Sequence, residues 1–354
     1  RHDCTGWRRS SLQRPVVLNP SRCGFFPNHA RSLQEQVAEV FGEHGDGVLL
    51  GLLGALGADV ADDGGQEQAA VAVLDGEIGE VYAIHTTEAV SYHHMATCFV
   101  RGKWNRREVN PMLLAKCCHD LDLIAWFKSG VAPRFVSSFG ARTVFVEEKA
   151  PAGSGTRCLV DCAIEADCPY SARKHFLEQK LWGTYVWHEL EHLETPTDED
   201  RERSLREDNP HGRCVWRTDC DVMDHQHVMI EFEDGTTASH NMVTGTPRPG
   251  RDIHIWGTGG EIQGFMEDGR FVVRHIDARA GHEYSEEPVD LSVSMDMHGG
   301  GDMRLVEDFV HAVRGEEPSI SSTGILDSIY GHLIAFAADE AMMKRRIAAI
   351  EDLG

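Results

Sequence analysis

The stretch "HVMIEFEDGTTASHNMV" (residues 227–243) contains two runs of alternating apolar and polar residues, separated by Glu-Asp-Gly. Such alternation is typical of strands with one buried face, and an Asp-Gly pair between two such runs is typical of a tight turn. The stretch therefore predicts an antiparallel hairpin with Val228, Ile230 and Phe232 on its buried face. His227 then belongs to the exposed face.

Strand patterns continue on both sides of this hairpin. Residues 251–265 and 270–276 extend the meander, residues 134–148 predict two strands around Gly140, and Gly79–Thr87 predicts another. Helical spacing is found at 112–127, 302–315 and 326–346. The predicted fold class is α/β, more closely α+β: a large, mostly antiparallel sheet packed with helices.

The composition is that of a soluble globular protein, with 354 residues, 41% hydrophobic and 26% charged. Acidic side chains outnumber basic ones by 57 to 34, so the formal net charge is −23. An acidic surface repels nucleic acid and anionic lipid, which excludes both as partners. No apolar run of about 18 residues is found, so no membrane span is expected. Ten cysteines without a secretory signal predict a reducing, cytoplasmic location.

Residues 112–127, "MLLAKCCHDLDLIAWF", are mostly apolar yet contain four ionisable groups. At about 100° per residue, Lys116, His119 and Asp120 share about a third of the helix circumference, with Asp122 beside His119. Burying unpaired charges is costly, so we expect these groups to line a polar cavity suited to a general acid or base. The spacing is equally compatible with His119 and Asp122 merely bonding to the backbone or to each other.

Seven blocks, in order along the chain, together resemble the C-terminal domain of the Gfo/Idh/MocA oxidoreductases. The resemblance runs from about residue 68 to residue 347. The blocks are GEIGEV (76–81), VRGKWN (100–105), NPMLLAKCCHDLDLIAWF (110–127), RCLVDCAIEADCPYSARK (157–174), PHGRCVWRTDCDVMDHQ (210–226), GTGGEIQG (257–264) and HGGGDMRLVEDFVHAVRG (298–315).

The resemblance implies a fold and a function. In this family an N-terminal Rossmann domain binds NAD or NADP, and the second domain carries a large sheet that presents a sugar or polyol. That sheet often mediates oligomerisation. For this chain the resemblance implies an NAD(P)-dependent oxidoreductase acting on a sugar, polyol or related hydroxyl substrate, and a homo-oligomer formed through the sheet.

The resemblance also implies catalytic residues. The family's active-site helix has the pattern H-x-x-D, whose His transfers the proton of a substrate hydroxyl, and His119 and Asp122 match it. Many members have an Asp four residues before the His, where this chain has Ala115. We hypothesise that Lys116, at i,i+3 from His119, supplies the neighbouring charge. The predicted catalytic residues are His119, Lys116 and Asp122, with Asp120 binding substrate.

The nucleotide-binding half of the family is not recognisable. A Rossmann fingerprint needs G-x-G-x-x-G after a strand, whereas Gly51, Gly54 and Gly57 are spaced G-x-x-G-x-x-G with no preceding β-α-β pattern. The family's Glu-Lys-Pro motif is also missing, because the first lysine of the chain is Lys103. No cofactor-binding residue is therefore assigned.

These observations predict two segments. Residues 1–66 are a degenerate remnant of, or substitute for, a dinucleotide-binding domain. Residues 67–354 form the substrate and oligomerisation domain, with a Cys-rich excursion at 150–220. The chain begins with Arg1, and 66 residues are too few for a Rossmann domain, so we expect a gene truncated or frame-disturbed at its 5′ end. The alternative is a chain that works without the cofactor.

The excursion carries Cys158, Cys162 and Cys168 with C-x3-C-x5-C spacing, followed by Cys214 and Cys220. Thiolates at such positions can hold a structural zinc ion, with His175 as a candidate fourth ligand. The tight C-x2-C knuckle is missing, so free thiols are the alternative.

Two loops favour carbohydrate binding. "GKWN" (102–105) presents Lys103, Trp104 and Asn105 after a strand, and Trp faces are common sugar platforms. "HGGGD" (298–302) contains His298 at a helix N-terminus, where a loop can close over hydroxyls or phosphate. The alternatives are a Trp in the core and a plain loop before a capped helix.

Three functions compete. The first is the NAD(P)-dependent oxidoreductase, although the missing fingerprint leaves open that this chain is inactive. The second is a non-catalytic carbohydrate-binding or assembly domain. The third, weaker, is a metal-dependent hydrolase or lyase that uses the Cys and His groups. The sequence does not fix the substrate, the choice between NAD and NADP, or the oligomer size.

Overall fold

The computed structural model describes residues 76–290, 301–316 and 325–351 and the strand Val16–Val17. For that strand and for residues 301–305 it describes the backbone alone. Ten strands form one sheet. They are β1 Val16–Val17, β2 Val81–Ser91, β3 Pro133–Ala141, β4 His225–Phe232, β5 Thr237–Thr246, β6 Gly250–Gly257, β7 Gly260–Phe265, β8 Arg270–Ile276, β9 Tyr284–Asp290 and β10 Ala348–Ala349.

The strand order is β1-β10-β3-β4-β5-β2-β6-β7-β8-β9. Only the neighbours β1–β10 and β2–β5 are parallel in this sheet, and its other pairs are antiparallel. The predicted fold class is therefore confirmed.

The predicted hairpin is confirmed as β4 and β5. Gly235 in its turn has φ +86°, a backbone conformation that favours glycine. Along β4 the even-numbered residues are buried and His227 is exposed. Since paired residues share a face, the buried side continues through Ala238, His240 and Met242 of β5.

The prediction of two strands within 134–148 is wrong after β3. The backbone N–H groups of Thr143 and Val144 each donate to Asp224 Oδ2 at 2.6 Å. Because this buried carboxylate takes both donors, the chain leaves the sheet. Strand β9 was not predicted at all, since its side chains are mostly exposed.

The helices lie between and beside the strands. They are α1 Tyr92–His94, α2 Met112–Lys116, α3 Cys118–Phe127, α4 Gly183–Val186, α5 Asp198–Arg206, α6 Gly301–Arg314 and α7 Ile325–Lys344. Two π-helices are Met95–Arg101 and Arg173–Glu178, and short 3₁₀ turns are Glu147–Lys149, Glu165–Asp167, His188–Leu190, Pro210–Gly212 and Met266–Asp268.

The predicted helix at 112–127 divides at Cys117, whose φ of −108° and ψ of 14° are not helical. Helix α3 then packs against both the sheet and α7. From Asp120 to Phe127 every residue of α3 is buried, including Asp120 and Asp122, because apolar residues lie on all sides of this helix. At its end the Lys128 ammonium pairs with Asp234 at 2.6 Å, which ties the helix to the β4–β5 turn.

The excursion between β3 and β4 forms a second small core outside the sheet. Its buried members are Cys158, Leu159, Ala172, Phe176, Val186 and Leu205. An isolated antiparallel bridge between Arg157 and Arg213 joins the two ends of the excursion. The excursion is therefore braced internally rather than extended.

Several predictions fall outside the described residues. These are the character of residues 1–66 apart from β1, the domain boundary after residue 66, the Gly51–Gly57 spacing and the loop containing His298. Among the helices that the structure describes, none is long and apolar enough to cross a membrane.

Truncating the core side of α3 tests this packing. Leu121 is fully buried, whereas Leu326 on α7 is 47% exposed. We expect Leu121→Ala to lower the free energy of unfolding by about 2–5 kcal/mol, because it removes buried methyl groups and leaves a cavity. Leu326→Ala is the control and should change it by less than about 1 kcal/mol. Denaturant unfolding measures both, and equal losses would contradict the arrangement.

Candidate functional site

A largely buried network of charges joins four elements, the strands β2 and β6 and the helices α2 and α3. Lys116 Nζ lies 2.6 Å from Glu88 Oε1 of β2. Arg251 of β6 extends the network, with its Nε 3.1 Å from Glu88 Oε2 and 3.3 Å from Asp120 Oδ1. The Glu88 and Asp120 side chains are only 4% and 2% exposed. Two cations and two carboxylates are thus held where water screens them little.

His119 lies beside these cations and is partly exposed. Burial lowers the pKa of its imidazole to about 4, and the positive charges of Arg251, Lys116 and His332 lower it further in the same direction. The ring is therefore neutral at pH 7. A neutral imidazole can accept a proton, and its position next to two cations favours negative charge on a nearby oxygen.

Asp122 occupies a different place on α3. Its Oδ1 has no hydrogen-bond partner within the described part of the chain, and it lies against Gly331 of α7, where an added Cβ would collide with it. Burial and the nearby Asp327 raise the pKa of Asp122 to about 8. No hydrogen bond or ion pair joins Asp122 to His119 among the residues that the structure describes. The expectation that all four groups line one cavity is therefore corrected, since Asp122 contacts α7.

Three residues of the network come from strands and were missed by the sequence analysis: Glu88, His240 and Arg251. His240 is fully buried, with Nδ1 2.8 Å from Thr86 Oγ1, and burial lowers the pKa of His240 to about 3. The sequence does contain a pattern that predicts the burial of Glu88. The alternation along β2 puts it on the same buried face as Ile84, Thr86 and Val90.

Cys117, Asp120 and His240 place ligand atoms within 4.8 Å of one another. A metal ion there would compete with the Arg251 guanidinium for Asp120. We therefore assign no metal to this group.

Lys103, Trp104 and Asn105 meet in a second place, a cleft of about 270 Å³ that we call the Lys103 cleft. Lys103 Nζ lies 4.7 Å from the centre of the Trp104 ring, and Asn105 Nδ2 donates to Asp219 Oδ1 at 3.2 Å. Neither Lys116 nor His119 lines this cleft. Its lining residues are Cys98, Arg101, Gly102, Lys103, Trp104, Asn105, Tyr185, His188, Glu189, Pro210, His211, Arg213 and Asp219.

A row of aromatic rings leads from the Lys103 cleft towards Lys116. The centroid distances are 5.8 Å from Trp104 to Tyr185, 5.9 Å from Tyr185 to Trp182 and 4.4 Å from Trp182 to His94. Burial, together with the charge of Lys116, lowers the pKa of His94 to about 3. Flat apolar faces of this kind suit the faces of sugar rings.

The predicted metal ligands Cys158, Cys162 and Cys168 also meet, around a small cavity that Cys214 shares. The candidate ligand His175 and the downstream Cys220 do not line it. All cysteines that the structure describes are free thiols.

No family model matches the sequence. The structure does match solved oxidoreductases. The apo form of levoglucosan dehydrogenase aligns with a TM-score of 0.53 and 13% identity, over 85% of this chain and 66% of that one. An oxidoreductase domain protein from Kribbella flavida aligns with a TM-score of 0.51 and 12% identity, over 86% and 66%. The chain has the fold of the Gfo/Idh/MocA-type oxidoreductases. The resemblance noted in the sequence is confirmed.

A curated relative points to the same class. A Bacillus subtilis (strain 168) protein named "Putative oxidoreductase YteT" is 25% identical over 246 residues, which are 67% of this chain and 55% of that protein. The chain thus spans about half the length of this relative. Levoglucosan dehydrogenase has also been solved with NADH and levoglucosan, and that complex aligns with a TM-score of 0.52 and 13% identity over 84% of this chain and 65% of that one.

The charge network makes a testable prediction. Glu88→Gln removes the carboxylate that Lys116 and Arg251 share and leaves the Lys116 ammonium, whose side chain is only 15% exposed, without this partner. We expect it to lower the free energy of unfolding by about 3 kcal/mol. The control is Asp290→Asn in the Arg270–Asp290 pair, whose side chains are 56% and 87% exposed and which should contribute less than about 1 kcal/mol. Similar losses in both variants would contradict a buried network.

Asp122 predicts a pH dependence of stability. Its pKa is about 8 in the folded chain against an ordinary value of 3.8. Between these values the folded state holds a proton that the unfolded state has lost, so its contribution to stability decreases as pH rises towards 8. Asp122→Asn cannot ionise, so its melting temperature should fall less than the wild type's between about pH 5 and about pH 9. Glu148→Gln, at an exposed acid, is the control. Parallel curves for all three proteins would exclude this effect.

Proposed function

We propose that this chain is the substrate-binding part of an NAD(P)-dependent oxidoreductase that acts on a hydroxyl group of a sugar, a polyol or a related compound. The observation that carries the proposal is a neutral imidazole, His119, beside two partly buried cations, Lys116 and Arg251. The fold supports the same class, and the titles of two structures of levoglucosan dehydrogenase name a sugar ligand, levoglucosan or L-sorbose.

In the proposed chemistry, His119 accepts the proton of the substrate hydroxyl, and the hydride from the same carbon would pass to the oxidised nicotinamide cofactor that the family implies. The charges of Lys116 and Arg251 favour the negative charge that develops on the oxygen. Glu88 fixes Lys116, and Asp120 fixes Arg251, so both are held in place before substrate arrives. The role predicted for Asp122 stays a prediction, and His298 lies outside the described residues.

The described residues do not fit a nicotinamide cofactor. Such a site needs a parallel β-α-β unit with a glycine-rich turn at the helix N-terminus. The parallel neighbours β2 and β5 are instead connected through β3 and β4. We therefore assign no cofactor residue and propose a role for the substrate side alone. That NAD or NADP is the cofactor rests on the family.

The Lys103 cleft is our candidate for the more distant part of a sugar or polyol. Lys103 and Asn105 offer hydrogen-bond donors there, and Trp104 and Tyr185 offer ring faces. If the chain binds sugars without turnover, the second candidate function, a non-catalytic carbohydrate-binding or assembly domain, follows from this same cleft.

Turnover of the purified chain tests the proposal. We would assay it with NAD⁺ and NADP⁺ against sugars and polyols that include levoglucosan and L-sorbose. Where a substrate is found, His119→Asn should lower kcat by about 10²–10⁴-fold with little change in KM for the sugar. Wild-type kcat should fall only as pH decreases towards about 4, where His119 becomes protonated. His227→Asn, on the exposed face of β4, is the control.

Three outcomes are distinct. Turnover that is unaffected by His119→Asn contradicts the assigned role of His119. Sugar binding in calorimetry without turnover favours the non-catalytic alternative. Neither binding nor turnover with any of the sugars contradicts both functions.

The expected homo-oligomer also stays a prediction. The sheet face opposite the helices exposes apolar side chains, with Phe139 of β3 77% exposed and Met229 of β4 55% exposed. Cytoplasmic location likewise stays a prediction.

A further inference from the structure

Four cysteines line one small cavity in the excursion, which we call the thiol cavity. Cys158, Cys162 and Cys168 come from one loop, and Cys214 comes from the segment just before β4. The cavity volume is about 10 Å³, about enough for a single water molecule. Four free thiols from two separate segments around so small a space are unusual unless they share a ligand.

The backbone positions these thiols across the two segments. Cys158 N donates to Gly212 O at 2.9 Å, and Cys214 N donates to Thr156 O at 2.8 Å. On the first loop, the Asp161 carboxylate accepts hydrogen bonds from the N–H groups of Thr156 and Arg157 at 2.9 and 2.8 Å. The loop that carries Cys158 and Cys162 is therefore closed by its own hydrogen bonds.

Two of the sulfur atoms accept backbone hydrogen bonds from two residues further along the chain. Tyr170 N donates to Cys168 Sγ at 3.4 Å. The backbone N–H of Trp216 likewise forms a hydrogen bond to the Cys214 thiol. N–H groups directed at sulfur stabilise the thiolate form, which is the form that binds metals.

Arg101 supplies the second, independent observation. Its side chain lines the thiol cavity and the residue is 1% exposed. Its guanidinium donates to Arg213 O at 2.7 Å, to Tyr170 O at 2.8 Å and to Cys158 Sγ at 3.4 Å, while Nη1 has no hydrogen-bond partner in the described structure. No carboxylate of the described residues forms an ion pair with it. Glu165 also lines the cavity, but its carboxylate accepts a hydrogen bond from Ser171 Oγ and does not pair with Arg101. A buried cation without a paired anion is strongly unfavourable, so a further anionic group is expected in the cavity.

We propose that Cys158, Cys162, Cys168 and Cys214 bind a metal centre through four thiolates, with Arg101 as its buried counter-cation. Four thiolates around a divalent ion carry a net charge of about −2, which compensates the guanidinium. Two centres share this ligand chemistry, a single zinc ion and a [4Fe–4S] cluster. Neither His175 nor Cys220 is a ligand in this proposal.

The spacing of the sulfur atoms bears on the choice between the two. Around a tetrahedral zinc ion with Zn–S of about 2.3 Å, sulfur atoms lie about 3.8 Å apart. Among the described residues, only Cys117, Asp120 and His240 form a group of three or more metal-binding side chains whose ligand atoms all lie within 4.8 Å of one another. The four thiols of the cavity do not meet this distance and are therefore more widely spaced. Zinc would require the four thiols to move closer together, whereas a cluster would require the small cavity to widen.

The centre would also shape the candidate substrate site. Arg101 lines both the thiol cavity and the Lys103 cleft, and Arg213 of that cleft directly precedes Cys214. A metal there would therefore brace one wall of the Lys103 cleft. This consequence rests on the proposed function, whereas the metal centre itself does not.

Metal content of the chain, purified anaerobically without a histidine tag, tests the proposal. We expect about one zinc per chain, or about four iron atoms with matching acid-labile sulfide and a brown colour. A metal-free preparation is reloaded with Zn²⁺ alone, or with Fe²⁺ and sulfide. Cys162→Ser and Cys214→Ser should each lose most of the bound metal. Cys118→Ser, at a partly exposed thiol on α3, is the matched control for the partly exposed Cys162 and should keep it.

Thermal melting first establishes that each variant folds, and alkylation with mass spectrometry counts free thiols in the wild type. Zinc or iron bound at the expected ratio and lost in both cavity variants supports the proposal, and the metal found decides between ion and cluster. A folded wild type that binds neither after reloading overturns it. So does undiminished metal in the folded cavity variants, or disulfides among these four cysteines.

Discussion

The arrangement of the candidate site depends on one buried carboxylate, Glu88. It projects from β2 onto the helix-covered face of the sheet and lies between the ammonium of Lys116 and the guanidinium of Arg251. A carboxylate in that position is stable only because both cations accompany it, and neither cation could be buried there without it. The pair of contacts fixes helix α2 on the sheet, and Asp120 extends the same constraint to α3.

The acid–base properties of His119 follow from that network. Its imidazole is neutral at pH 7 because burial and two neighbouring cations all disfavour its protonated form. The same electrostatic arrangement that keeps the ring available as a base favours negative charge on an oxygen nearby. Asp122, on the same helix, has the opposite character: burial against α7 raises its pKa to about 8. The pKa values of His119 and Asp122, three residues apart, are thus shifted in opposite directions because the two side chains have different neighbours.

The excursion between β3 and β4 contributes the second half of the candidate site. It has its own small core, and it supplies Tyr185, His188 and His211 to the Lys103 cleft. Short irregular segments bury little apolar surface, so they need additional bracing to hold such side chains in place. The bridge between Arg157 and Arg213 provides such bracing, as do the hydrogen bonds that the buried Arg101 donates to the carbonyls of Arg213 and Tyr170.

The sequence by itself determined the sheet, the hairpin β4–β5 and the buried character of 112–127, because these depend on local periodicity and turn chemistry. Spacing and the family resemblance also gave the prediction of His119 and Lys116 as catalytic residues, and spacing alone gave the prediction of the cysteine loop as a metal site. The sequence did not show that Glu88, His240 and Arg251 surround Lys116, nor that Cys214 completes the group of cysteines. Only the tertiary structure decided these points, since they join residues up to 163 positions apart, as between Glu88 and Arg251. The sequence around a charged residue or a cysteine does not show which distant residue will contact it in the folded chain. The pKa and the ligands of such a residue are set by burial and by neighbours that only the assembled sheet brings together.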